Sequence, residues 1–392
     1  MDARSTVALP TLTALAFSMP EQIHSNGVNG AAVKKRRIDE YEVPQKMKAL
    51  QYSEPEVFAV EEVDVPQIGG EDVLWEFGQV KISACGVCGT DLHYHKGEFM
   101  AKFPLIPGHE ATGTVVAIGD HVSNVAIGDR VAVDPMEPCR SCHHCMRDQR
   151  LLCENMTGFG GTVPGGFAEF CRYPARQVFP IPPEISPLEA CLIEPAACAS
   201  HGIERMAPKV GSRVLLFGCG PTGMLLAQLL KLNGTANLTI ASMPGPKLDL
   251  ARQMDLADSY VEVLPSNPQA AMEKLKTAHP YGFDIVVEAT GAPSVLEQSI
   301  FHVAKGGTLV VYGVYDDEVK IAWPPSRIWT YEITILASFC STLKFPLVME
   351  YLRTKKLNFK GIVNKTYRIE QWAECLEAVR KQEVVKAAIV FD

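Results

Sequence analysis

Four cysteines crowd into fifteen residues as Cys139-x2-Cys142-x2-Cys145-x7-Cys153. Thiolates so close in sequence can close a tetrahedron around zinc through short chelate loops. A closed shell of four leaves no position for a substrate, so this metal is expected to hold structure rather than to react. Two local disulfides are the alternative. The other cysteines, scattered singly along the chain, favour metal binding and free thiols.

A second set of ligand types is dispersed. Cys88 stands in Gly86-Val87-Cys88-Gly89-Thr90-Asp91, His109 and Glu110 in Pro107-Gly108-His109-Glu110, and Glu194 in Leu192-Ile193-Glu194-Pro195. A catalytic zinc takes about three protein ligands and keeps one position open for water or an alcohol. Each short string is weak alone, because a lone Cys or His is more often plain core. Their company gives them weight.

The third signal is Gly218-Cys219-Gly220-Pro221-Thr222-Gly223. It follows the apolar run 214–217 and precedes Leu225, Leu229 and Leu232, which recur at helical spacing. In that setting the glycines permit a tight turn, and the N-terminal N–H groups of the helix face a dinucleotide pyrophosphate. The next apolar strand, 238–241, ends in Ser242-Met243-Pro244-Gly245-Pro246-Lys247, with no carboxylate. An acidic side chain there would hold the ribose hydroxyls and repel a 2′-phosphate. Ser242, with Lys247 close by, therefore admits NADP, while NAD held through other contacts remains the alternative.

Two kinds of element must position these groups. Between about residues 47 and 183 the sequence is short apolar runs (47–52, 80–84, 113–118, 130–133) split by Gly, Pro and Asp, the pattern of an all-β unit. After Pro187 it becomes strand, Gly-rich turn and helix in alternation, with further strands at 285–287 and 309–312. That alternation predicts an α/β fold with a doubly wound parallel sheet. A last amphipathic helix, with Trp372, Leu376 and Val379 on one face, and a strand at 387–391 close the chain.

At 392 residues there is room for two cores. A net charge of −8 argues against nucleic acid as the partner, and the single basic run, Lys34 to Arg37, reads as a solvated stretch. No apolar run approaches the ~20 residues of a membrane span. The cysteine distribution points to a reducing compartment, so the expected location is cytoplasmic. Residues 1–46 read as a disordered extension. An apolar stretch there, broken by Pro10 and followed by Ala16 and Ser18, weakly imitates a signal peptide and keeps secretion as the alternative.

Taken in order, and with Glu288-Ala289-Thr290-Gly291 added, these motifs resemble the medium-chain zinc-dependent alcohol and polyol dehydrogenases from about Met47 to the C-terminus. The resemblance implies a GroES-like catalytic domain over 47–197, to which 336–392 return, and a Rossmann domain over 198–335. It implies two zinc ions per chain. Cys88, His109 and Glu110 would form the catalytic site, with Glu194 completing or flanking it, and Cys139, Cys142, Cys145 and Cys153 the structural one.

Thr90 and His93 match the family's proton relay, and Asp91 looks like the partner that orients His109. Gly218, Gly220, Gly223, Ser242, Lys247, Gly291, Gly313 and Val314 are the implied cofactor contacts, and Tyr94, Phe159 and Glu194 the implied substrate pocket. A homo-oligomer, dimer or tetramer, is also implied. A carboxylate at Glu194, where simple alcohol dehydrogenases carry cysteine, looks like the polyol branch. The sorbitol type has an Arg-Tyr pair in its pocket, where this chain reads Ser338-Phe339-Cys340-Ser341. The chain resembles most the fungal D-arabinitol dehydrogenases that use NADP. The expected substrate is therefore a pentitol, with sorbitol, xylitol or another secondary alcohol as the alternative.

Overall fold

The computed structural model describes residues 43–68 and 77–392. The extension expected over 1–46 lies, through residue 42, outside the described residues. Among the described residues no helix is long and apolar enough to cross a membrane.

The C-terminal half builds a six-stranded, all-parallel sheet. Its strand order is Ser259–Glu262, Asn237–Ser242, Arg213–Phe217, Phe283–Glu288, Val303–Val311 and Thr334–Ala337. The first strand in sequence, Arg213–Phe217, thus sits centrally beside the fourth, so the chain leaves their C-terminal ends in opposite directions. That reversal opens the crevice in which doubly wound sheets bind ligands.

Burial on both faces explains the unbroken apolar strands. Val214 and Leu216 pack on one face with the helices Ile193–Met206 and Pro221–Leu232, while Leu215 and Phe217 pack on the other with Pro268–Ala278. Proline opens the helices Pro221–Leu232, Pro246–Gln253, Pro268–Ala278, Pro293–Ser299 and Pro325–Tyr331, where its missing N–H is no loss.

A second large sheet has, among the described residues, seven strands around Phe77–Val87. That strand pairs antiparallel with Glu110–Ile118 on one side and with both Lys386–Val390 and Phe170–Pro174 on the other. The C-terminal segment therefore supplies a strand beside the centre of the seven-stranded sheet. The helix Trp372–Arg380 packs there too: buried Trp372 donates through its indole N–H to the Tyr52 hydroxyl at 2.7 Å, and that oxygen lies 3.1 Å from His95 Nδ1.

Sequence periodicity does not separate the strands Lys46–Glu54 and Val57–Asp64, which form one antiparallel hairpin. Nor does it mark the helix Ile193–Met206, which runs across residues 197 and 198 and carries Glu194 in its first turn.

Candidate active site

The register of the seven-stranded sheet assembles the dispersed ligand set. Gly86 pairs with Glu110 on one side of the central strand and with Ala388 on the other. Cys88, just past the end of that strand, consequently meets His109 and Glu110 at the start of the next. Cys88, His109 and Glu110 each offer a ligand atom, all within 4.8 Å of one another. A Cβ on Gly86 would lie 1.9 Å from Glu110 Oε2, so only glycine lets this carboxylate cross the strand.

The local chain holds each ligand. Cys88 caps the helix Gly89–His95, and its N–H donates to Asp91 Oδ2 at 2.8 Å. The other carboxylate oxygen of Asp91 faces His109 Nδ1 at 3.6 Å. Burial opposes a charge on His109, yet Asp91, Cys88 and Glu110 around it outweigh burial and hold the imidazole up at about 10. A buried site that draws a proton so strongly onto imidazole carries surplus negative charge. A divalent cation fits there by charge, and a sulfur–nitrogen–oxygen donor set fits zinc.

Glu194 stands outside the triad and flanks it. It shares with Cys88, Thr90, His109 and Glu110 a cavity of about 480 Å³. Burial pushes its carboxyl up, and Cys198 Sγ lies 3.3 Å from Oε1. Tyr94 and Phe159 also line this cavity, as do Ser338, Phe339, Gly313 and Val314. It thus opens on groups from both sheets. Thr90 lies with its hydroxyl 3.7 Å from Cys88 Sγ, and His93, one turn along the same helix, pairs through Nδ1 with Glu98 at 2.6 Å.

The Gly218–Gly223 turn sits at the crevice between the two central parallel strands. Gly218 has φ +94, a conformation that favours glycine, and a Cβ there would crowd Thr290 and Ala289. Gly220 caps the helix Pro221–Leu232 and faces open space. Ser242 and Lys247 flank a separate cavity beyond the neighbouring strand. Gly291 N–H donates to Glu288 Oε2 at 3.3 Å, and Gly313 N–H to the Glu288 carbonyl at 2.9 Å, which ties the two loops together.

The four-cysteine lobe runs through two short 3-10 turns, Cys145–Arg147 and Arg150–Leu152. Its thiols converge within 4.8 Å, with Cys139 and Cys145 sulfurs 4.0 Å apart and Cys142 and Cys153 sulfurs 3.9 Å apart. Thiolates at ~2.3 Å from a tetrahedral zinc lie about 3.8 Å apart, so the geometry fits the metal. Backbone and Ser141 donors lower the Cys139 thiol to about 5, whereas burial and its neighbours push Cys145 up to about 12. A cation is what allows all four to be thiolates together.

Two family models match the chain: the alcohol dehydrogenase GroES-like domain over residues 78–183 and the zinc-binding dehydrogenase domain over 221–354. D-arabinitol dehydrogenase 1 of Uromyces fabae is 45% identical over 347 residues, 88% of this chain and 98% of the relative. The chain belongs to the zinc-binding alcohol and polyol dehydrogenase family.

This dehydrogenase is also 30% identical to the sorbitol dehydrogenase of Bacillus subtilis (strain 168) over 357 residues, 88% of this chain and 98% of that one. Among solved structures, one described as a zinc-binding dehydrogenase of Sinorhizobium meliloti 1021 bound to NADP matches with a TM-score of 0.81 at 29% identity. It covers 89% of this chain and 100% of that one. The protein is an oxidoreductase with a GroES-like domain and a Rossmann-type domain, as its motifs and alternating elements imply.

Sequence reasoning overlooks several groups at the dehydrogenase site. Lys386 is buried, and its ammonium lies 2.6 Å from Glu110 Oε1. Burial works against its charge, but Glu110, Cys88 and Asp91 outweigh burial and raise its pKa. The available signal is a lysine opening the apolar strand Lys-Ala-Ala-Ile-Val. Cys198 brings one more thiol to the cavity, and Tyr312 lines it as well, beside Cys340 of the Ser338–Ser341 segment. Nothing in the local sequence of Cys198 or Tyr312 distinguishes them from core residues.

Proposed function

We propose that this dehydrogenase oxidises a pentitol, D-arabinitol first, to a ketopentose, D-xylulose or D-ribulose, with the hydride passing reversibly to NADP in preference to NAD. The observation that carries the reading is the single cavity that joins Cys88, His109, Glu110 and Glu194 to Gly313 and Val314. The 45% identity to a D-arabinitol dehydrogenase and the absence of an Arg-Tyr pair at Ser338 and Phe339 favour a pentitol over sorbitol.

Cys88, His109 and Glu110, with Glu194 beside them, would hold the catalytic zinc, and Cys139, Cys142, Cys145 and Cys153 the structural one. The catalytic ion supplies Lewis acidity, which lowers the pKa of the substrate hydroxyl. Thr90 Oγ1 would accept the hydroxyl proton as it gives up its own. His93, one turn along and anchored by Glu98, would release it to solvent. Asp91 fixes the His109 ring, and Lys386 holds Glu110 in place. Tyr94 and Phe159 form apolar walls that exclude water from the reacting carbon. The cofactor would lie along Gly218, Gly220 and Gly223, with Ser242 and Lys247 at its adenosine end and Gly291, Gly313 and Val314 at its nicotinamide end.

This reading assigns residues 47–197 and 336–392 to the catalytic domain and 198–335 to the dinucleotide domain. It includes a homo-oligomer. The open edge strand Thr334–Ala337 and the 81% exposed Trp329 beside it suit self-association. A cytoplasmic location rests on the scattered, unpaired cysteines.

Initial rates with D-arabinitol, sorbitol and ethanol, each with NADP and with NAD, test the assignment. D-arabinitol with NADP is expected to give the highest kcat/KM. Sorbitol oxidation with NAD alone would overturn both the substrate and the cofactor assignments.

A further inference from the structure

A cavity of about 370 Å³ lies beyond the C-terminal end of the strand Asn237–Ser242. One wall is the loop from Ser242 to Lys247. The opposite wall is Arg380, Lys381 and Gln382, at the end of the helix Trp372–Arg380. That helix packs through Trp372, Cys375 and Ala378 into the core of the seven-stranded sheet. The two walls therefore belong to the two different sheets.

The charge of this cavity is one-sided. Of its ten lining residues three are cationic, Lys247, Arg380 and Lys381, and none is acidic. Glu377 is the carboxylate that engages the helix cations, bonding Arg380 through two contacts of 2.7 Å and Lys381 at 3.2 Å. One carboxylate shared by two cations leaves a surplus positive charge facing Ser242. Glu262, which pairs with Ser242 across the sheet, is itself bound by Arg252 at 2.8 Å. Arg380 and Lys381 are 65% and 53% exposed at their side chains, so a ligand can reach both.

We propose that Arg380 and Lys381, with Ser242, form the subsite for the 2′-phosphate of NADP, so that the catalytic domain helps to choose the cofactor. The proposal rests on the NADP reading above and adds residues that the fingerprint and the Ser242 loop do not contain. Guanidinium offers a planar pair of donors to phosphate oxygens and ammonium a mobile point charge, and both gain from a dianionic group. A phosphate held there bridges the two walls of the cavity. Because the groups face water, the preference falls as salt rises.

Calorimetric titration of the zinc-loaded full chain with adenosine 2′,5′-bisphosphate and with adenosine 5′-monophosphate isolates the phosphate. The wild type is expected to bind the bisphosphate at least about tenfold more tightly, the gain of one charge-assisted hydrogen bond. In the Arg380→Gln/Lys381→Gln variant that ratio is expected to fall to about one. The charge-keeping exchange Arg380→Lys/Lys381→Arg should retain most of the ratio. A preference that survives in the double glutamine variant overturns the subsite, and so does its complete loss in the charge-keeping one. A wild type with no preference overturns the NADP reading itself.

Discussion

Lys386 Nζ and Glu110 Oε1 lie 2.6 Å apart in the buried floor of the site, although 276 residues separate them in sequence. The pair joins the last strand of the chain to the strand that carries His109 and Glu110. It completes the site only because the C-terminal segment returns to the seven-stranded sheet beside Phe77–Val87.

Removing the lysine alone leaves a carboxylate buried without its cation. Lys386→Met is therefore expected to cost about 3 kcal/mol of stability, measured by denaturant unfolding of the metal-free protein, in which no zinc stands in for the lysine. Adding Glu110→Gln to the same chain should recover much of that loss. A single variant as stable as the wild type would mean that the pair does not hold the floor of the site.

Phe339 lines the cavity and meets Phe99 edge-on at 6.2 Å, with Ser338 beside it. Introducing Ser338→Arg with Phe339→Tyr places polar donors where this chain has an aromatic wall. The ratio of kcat/KM for sorbitol over D-arabinitol is expected to rise about tenfold, the net worth of roughly one added hydrogen bond. An unchanged ratio in a folded variant would show that these positions do not touch the distal hydroxyls.

At the opposite end of the parallel sheet Arg213 clamps Asp284. Its backbone N–H donates to Oδ2 at 2.8 Å and its Nη2 to Oδ1 at 3.0 Å. These bonds hold the Asp284 carboxyl below its usual value. A folded-state value below the unfolded one stabilises the protein above roughly pH 4 and is lost as pH falls through the folded value. Both side chains are about 40% exposed, so screening keeps the ion-pair contribution below about 1 kcal/mol. Urea unfolding of Asp284→Asn should show a small deficit at pH 7 that shrinks toward pH 3.5. A deficit that grows on acidification would contradict the sign.

The legible part of this protein is what local spacing encodes. Cys139 to Cys153 lie close enough in sequence to read as one metal lobe, and Gly218 to Gly223 read as a turn because a strand and a helix flank them. Cys88, His109 and Glu110 become a site only through the Gly86–Glu110 register, which is a long-range fact. Lys386 stays hidden for the same reason, since a lysine at the head of an apolar strand gains meaning only from its neighbour across the sheet. Glu194 is legible as a carboxylate before proline. Its position beside the triad rather than within it follows from the helix Ile193–Met206, whose packing against Pro221–Leu232 a sequence window does not contain.

The most direct test of the account is the zinc content of the purified chain, determined together with D-arabinitol turnover, for the wild type, Cys88→Ala and Cys145→Ser. The wild type is expected to hold about two zinc ions per chain. Cys88→Ala should drop to about one, with turnover abolished and the melting temperature little changed. Cys145→Ser should also drop to about one, but with its loss expressed as a lower melting temperature. A Cys88→Ala protein that keeps both its metal and its turnover would contradict the assignment of the active site.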